Sequence, residues 1–360
     1  MVQAWTGKQG KTGQSKAWLP DILALALLGF FLLVFFNIDR FKGDDPLIAL
    51  PNAWLSVNTI FLSIVLEAIP FILLGVFVSG LIQVYVSDET IQRYLPQNAY
   101  AALFPAAVLG TVFPICECAI IPVVRRLILK GMPLHVGVVF LVGAPILNPV
   151  VFASTFFAFR TNLTVLYSRM ILAFVLAMLV GLILYLLFKN SDQVKRQPAQ
   201  PQHSSAKQSH HAGQEHGHHQ HKERPWTKLK HTLYHAADEF FDMGKYLIAG
   251  AFVAGVVQTF LDRQLLLAIG SHEWSSTLVM MVFAYLLSLC SEADAFVAAS
   301  FGSMFTTGSL VAFLVYGPML DLKNTVMLFA YFKPKFALAF IATVTIAVFL
   351  AVMLLQLVIL

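Results

Sequence analysis

Two short strings carry the residues whose types and spacing could do chemistry in this chain: "FPICECAIIP", with Cys116, Glu117 and Cys118, and "LCSEADAF", with Cys290, Glu292 and Asp294. Thiolates are soft ligands that suit trivalent arsenic and other soft or borderline ions, whereas imidazole and carboxylate suit zinc and its neighbours. Successive residues of a regular helix turn by about 100°, so Cys116 and Cys118 would point to nearly opposite faces. They converge only where the helix is interrupted, and Pro114 and Pro122 bracket that stretch. Both strings lie inside apolar runs, where carboxylates usually mark ion, proton or substrate paths. The plainer alternative is that the cysteines fill space and that backbone amides satisfy the carboxylates.

The elements that must position these residues follow from composition. The chain has 360 residues, 58% of them hydrophobic and only 12% charged, with a mean hydropathy of +0.75. That is about half the charge of an average globular chain, which excludes a soluble enzyme, a secreted disulfide scaffold and a disordered chain. An all-α integral membrane protein is expected. The net charge of +5 then serves orientation and anionic lipid, not nucleic acid. A span needs about 20 apolar residues, and candidate segments lie near 19–38, 54–87, 99–130, 133–158, 163–188, 231–261, 275–303, 306–330 and 334–360. The first follows a tail with Lys8, Lys11 and Lys16, and its long core without a small-residue cleavage site reads as a retained span. Residues 189–230 form a hydrophilic linker holding His203, His210, His211, His216, His218, His219 and His221. These are candidate metal collectors, with incidental histidines in a polar linker as the alternative. His135 and His272 near span ends read as interfacial.

The chain divides into a tail and first span (1–53), a membrane repeat (54–188), the linker (189–230) and a second repeat (231–360). Glu67, Gly75, Gly80, Gln83 and Glu117 recur 175 residues later as Asp242, Gly250, Gly255, Gln258 and Glu292. After a two-residue slip, "APILN" (Ala144 to Asn148) answers "GPMLD" (Gly317 to Asp321). Such duplication marks many transporters. If all nine segments cross, nine Lys and Arg face thirteen across the membrane. If 99–130 and 275–303 are instead re-entrant hairpins of two half-length helices, Arg93, Arg125, Arg126, Lys130, the linker, Lys323, Lys333, Lys335 and the tail share one side, eighteen against four. Positive charge makes that side the cytoplasm. Each repeat then crosses three times and the second is inverted, with broken helices meeting at mid-membrane. On this reading Glu67, Glu117, Asp242 and Glu292 are the candidates for ion coupling.

The run "ICECAIIPVVRRLILKGMPLHVGVVFLVGAPILNPVVFASTFFAF" resembles the signature region of the DUF318 or UPF0718 permeases, predicted bacterial permeases related to the organoarsenical efflux permease. The similarity is strongest from Cys116 to Pro122, at Arg125, Gly131 and Pro133, and from Ala144 to Pro149. It implies a multi-pass inner-membrane permease of a thiophilic metalloid or metal, such as a trivalent organoarsenical. It places Cys116, Glu117, Cys118, Pro145 and Asn148 in the substrate region, to which the repeat adds Cys290, Glu292, Asp294 and Asp321. Where the family commonly has Gly after the second Cys this chain has Ala119, and the His-rich linker is no part of the shared pattern, so substrate identity does not carry over with the rest.

No Walker phosphate loop, HExxH or GxSxG motif is present, and C-E-C differs from the C-x-x-C of thiol oxidoreductases. A secondary transporter without a cofactor is therefore expected, ahead of an intramembrane thiol enzyme. The expected partners are the lipid bilayer, a small metalloid or metal substrate and a second permease subunit. A divalent-metal permease subunit of a two-component complex is the main alternative.

Overall fold

The computed structural model describes residues 52–85, 99–112, 116–188, 193–194, 225–260, 273–302 and 304–358. The expected first span at 19–38, the histidines from His203 to His221, His272 and Pro114 lie outside these residues. The described chain is nearly all helical. Twelve helices run in order: α1 (Asn52–Tyr85), α2 (Ala99–Val112), α3 (Glu117–Leu129), α4 (Leu134–Leu147), α5 (Pro149–Ala158), α6 (Leu163–Phe188), α7 (Pro225–Phe260), α8 (Glu273–Leu287), α9 (Ser291–Ser300), α10 (Thr307–Met319), α11 (Leu322–Tyr331) and α12 (Pro334–Val358). No strand forms among the described residues, and β-type pairing is confined to a bridge between Val194 and Phe332.

Two helices are enclosed by the others. Every residue of α4 from His135 to Ile146 is buried, as is every residue of α10 from Gly308 to Met319. A helix that is apolar all round belongs either in a core or in lipid, and these two occupy the core. The outer helices instead bury one stripe. In α12 Phe336, Phe340, Val344, Val348 and Val352 face inward at a spacing of four, while Leu338, Ile346, Leu350 and Leu354 are exposed. Such an apolar outer face suits hydrocarbon and is not tolerated by water over this length. The stretches Trp54–Ile82, Leu134–Ala158, Leu163–Phe188, Glu239–Phe260 and Pro334–Val358 are long and apolar enough to cross a membrane. Outside the core, α1 packs along α7, α1 also covers α3, and α7 covers α11.

Four of the expected segments contain interruptions. Segment 99–130 divides into α2 and α3, and 275–303 into α8 and α9. Segments 133–158 and 306–330, expected to be continuous, divide as well: α4 passes to α5 at Asn148, and α10 to α11 at Leu320 and Asp321. Pro145 and Pro318 lie just before these breaks, where each removes one backbone donor from the last turn. The turn from α3 to α4 closes with Gly131 at φ 101°. Gly131 N donates to Ile128 O at 3.0 Å and Met132 N to Leu127 O at 3.0 Å, the paired bonds of a Schellman cap that a left-handed glycine permits.

Of the expected linker, 189–230, residues 193–194 and 225–230 are described. At its start Gln193 and Val194 are buried, and Gln193 O accepts from Lys333 N at 2.9 Å. At its end, helix α7 already begins at Pro225.

Candidate functional site

Glu117 is the first residue of α3 and follows Cys116, whose extended backbone (φ −72°, ψ 166°) caps the helix. A carboxylate suits a helix N-terminus, where unpaired amides carry partial positive charge. Glu117 is nevertheless only 3% exposed and needs more than a dipole. Its Oε1 lies 3.2 Å from Lys323 Nζ, and its Oε2 accepts from Ser291 Oγ at 3.4 Å. Ser291 is the first residue of α9 and Lys323 the second of α11. The starts of three helices thus meet around one carboxylate.

Lys323 is 4% exposed, and a cation in a helix's first turn opposes the dipole. What holds it is the set of oxygens around it: Glu117, Asp321 Oδ2 at 3.2 Å, Ser288 O at 2.8 Å and Leu289 O at 3.2 Å. Asp321 caps α11, its Oδ1 accepting from Asn324 N at 2.6 Å. The two carbonyls come from the unwound stretch after α8, where Ser288 has φ 50°, a left-handed conformation that a non-glycine residue holds at some cost. A second buried cation secures the same stretch. Arg169 of α6 is 0% exposed and donates to Ser291 O at 3.0 Å and to Thr155 Oγ1 of α5 at 2.5 Å.

Asp294, one turn into α9, is buried, and its Oδ2 has no hydrogen-bond donor. It lies against the backbone of α10, where a Cβ at Gly317 would sit 3.0 Å from that oxygen. At the break between α4 and α5, Asn148 joins two helices. Its Oδ1 accepts from Val151 N at 2.8 Å, and its Nδ2 donates to the carbonyls of Ala144 and Pro145, each at 3.4 Å.

Several sequence-derived candidates therefore come together. Glu117 and Asp321 share Lys323, Cys116 and Cys118 are buried free thiols on either side of Glu117 at the start of α3, and Asp294 and Asn148 are buried at breaks. Others stand apart. Cys290 is a half-buried free thiol at the N-cap position of α9, Glu67 is exposed and Glu292 half-buried. Asp242 pairs with Lys245 at 3.1 Å on its own helix. Pro145 shapes the end of α4 and bears no polar contact of its own beyond its carbonyl. No group of three or more His, Cys, Asp or Glu side chains is arranged to hold a metal ion among the described residues.

One sequence expectation is corrected. Lys323 belongs to the buried cluster and not to the basic residues of one membrane side, because Glu117 and Asp321 compensate its desolvation. His135, at the start of a candidate span, is buried with its ring 4.6 Å from that of Tyr185. Arg126 pairs with Glu239 of α7 at 3.1 Å, and Glu239 also accepts from Ser79 of α1 at 2.8 Å. Sequence reading missed Arg169, Ser288, Ser291 and Glu239. Of these only Arg169 had a signal, being a lone cation inside an otherwise apolar span.

Comparison with known proteins agrees with this picture of charge enclosed among apolar helices. The family model described as "Predicted permease" matches residues 53–357. UPF0718 protein YcgR of Bacillus subtilis is 47% identical over 297 residues, covering 82% of this chain and 96% of the relative. A Streptococcus mutans protein, named for a proposed role as a subunit of a two-component membrane permease complex, is 39% identical over 82% of this chain and 93% of the relative. No solved structure matches. With several helices able to cross a membrane and a family match over most of its length, this chain is a multi-pass membrane protein belonging to the predicted permease family that includes the UPF0718 proteins.

Proposed function

We propose that the chain is an inner-membrane secondary transporter built from two inverted repeats, 54–188 and 231–360, and that its substrate passes where the broken helices meet. The observation that carries this reading is the buried cluster of Glu117, Asp321, Asp294, Lys323 and Arg169 at those breaks. A stability role alone is a weak reason to bury five ionisable groups, since apolar packing of similar volume serves stability as well or better. Ionisable groups enclosed at membrane depth mark substrate and ion paths. The repeat reading is supported by paired positions: breaks precede Glu117 and Ser291, and Asn148 and Asp321 each cap the helix after a proline-containing helix end.

The substrate class that fits the site is a thiophilic metalloid or metal, such as a trivalent organoarsenical, held by Cys116 and Cys118 beside Glu117. The thiols meet because Cys116 is extended while Cys118 is already helical, the interruption their spacing requires. The cavity beside Glu117, lined by Ile120, Leu141, Met319, Leu320 and Asn324, measures about 20 Å³. That volume holds one water and no organoarsenical, so the helices must part to admit substrate. Glu117 and Glu292 handle protons or cations as they do so.

Flux of a trivalent organoarsenical into proteoliposomes tests the proposal. Wild type should accumulate it under a proton gradient. Glu117→Gln should abolish coupled flux with normal insertion, and Cys116→Ser with Cys118→Ser should abolish arsenical flux. Wild-type rates in all these variants would refute the site assignment. The name of the Streptococcus mutans relative favours one further reading, a permease active only with a second subunit. Protein purified alone would then be inert, and a companion would co-purify from native membranes. Zinc flux lost on deleting 203–221, with the thiols dispensable, would favour a divalent-metal permease.

A further inference from the structure

The Lys323 ammonium lies among four oxygens, the carboxylates of Glu117 and Asp321 and the carbonyls of Ser288 and Leu289, all between 2.8 and 3.2 Å from Nζ. An ammonium has three N–H donors. Glu117 Oε1 and Asp321 Oδ2 are both buried and each lies 3.2 Å from Nζ, so two carboxylates and two carbonyls compete for those three donors. The two carbonyls are free to point at it because the backbone at Ser288 is left-handed (φ 50°) and α8 has ended at Leu287. Carboxylates combined with carbonyls of an unwound helix end make the kind of hard oxygen cage that holds a small monovalent cation in membrane proteins. Lys323 reaches the cage from a fixed backbone. A Cβ on Gly250 of α7 would lie 3.0 Å from Lys323 Cα, so the lysine is seated closely against that helix.

We propose that Lys323 is a tethered cation, filling a site that would otherwise bind an alkali ion and so making the protein independent of sodium and potassium. Removing the side chain should leave a vacant cage of two carboxylates and two carbonyls that takes up Na⁺ or K⁺ from solution. The consequence for transport, drive by protons and not by sodium, rests on the permease reading above. The cation site itself does not, and its test reads binding without flux.

Purified full-length protein in detergent is melted in NaCl, KCl or choline chloride at matched ionic strength. Wild type should melt at the same temperature in all three. Lys323→Ala should melt lower in choline and regain about 2–3 °C in NaCl or KCl when the cation is at roughly ten times its dissociation constant, along a saturable curve. Adding Glu117→Gln should remove that regain. Lys323→Ser likewise leaves the cage without the ammonium and supplies the same comparison if the alanine variant does not accumulate. An ordinary structural ion pair would show no preference among the salts. Equal melting of both lysine variants in all three salts, or saturable sodium stabilisation of wild type, overturns the proposal.

Discussion

Asn148 and Asp321 stand at matching breaks, each accepting from a backbone amide in the first turn of the next helix. The amide of Asn148 has donors left over, and they reach back to the carbonyls of Ala144 and Pro145. The carboxylate of Asp321 has none, and its second oxygen instead faces Lys323. That single difference in side-chain chemistry lets a cation be buried in one half. It also predicts unequal costs. Asn148→Ala loses a cap, about 1 kcal/mol. Asp321→Asn preserves the cap but leaves Lys323 with one carboxylate, which should cost about 3 kcal/mol or more, the range for breaking a buried ion pair. Thermal melts in detergent would measure both, and a shift for Asp321→Asn no larger than for Asn148→Ala would show that the Lys323 pair contributes nothing beyond the cap. The sequence offered Asp321 through its alignment with Asn148, but in it Lys323 counts with the basic residues of one membrane side, because hydropathy alone does not reveal that a break two residues earlier turns it inward.

Among the elements, the breaks at Glu117 and Ser291 were legible, the first from small and acidic residues between Pro114 and Pro122, the second from the polar cluster Ser291, Glu292 and Asp294 within an apolar run and from its register with Glu117. Those at Asn148 and Asp321 were hidden. Segments 133–158 and 306–330 have the length and hydropathy of whole spans, and a side chain that satisfies the loose ends locally leaves no polar run to notice. The packing of α1 on α3 was hidden too, although its two key residues had been singled out separately. A Cβ at Gly75 would lie 2.6 Å from Ala119 Cβ and 2.8 Å from Ala119 O. Gly75 thus supplies the space that Ala119 occupies. Gly75→Ala should lower the melting temperature by several degrees, since overpacking typically costs about 1–3 kcal/mol. Ala119→Gly should restore only part, because it removes the Cβ contact and leaves the carbonyl. Full rescue, or no effect of Gly75→Ala, would mean that the two helices separate freely.

For the whole molecule, the positive-charge count can be replaced by a path through the helices. From the turn at Gly131 the chain runs through α4 and α5, the 25-residue stretch Leu134–Ala158, roughly 37 Å at 1.5 Å per residue. If that stretch crosses the hydrocarbon, Arg160 lies on the opposite side from Arg125, Arg126 and Lys130. Helix α6, 26 residues long, then returns to the start of the linker. There Gln193 O meets Lys333 N, which puts the beginning of α12 on the linker side as well. Losing Lys323 to the interior weakens the charge bias by one residue, and the helix path gives a second, independent ground for expecting the same assignment. Arg160 is exposed, its guanidinium 4.7 Å from the Phe157 ring centre, and a cysteine there should be accessible. In a background lacking Cys116, Cys118 and Cys290, His210→Cys should react with an impermeant maleimide only after the membrane is opened, and Arg160→Cys should react in intact cells. Labelling of both from outside would break the path argument, because α6 would then fail to cross between them. Labelling of His210→Cys alone from outside would keep the path and reverse its orientation, placing the basic residues on the outer face against the charge rule.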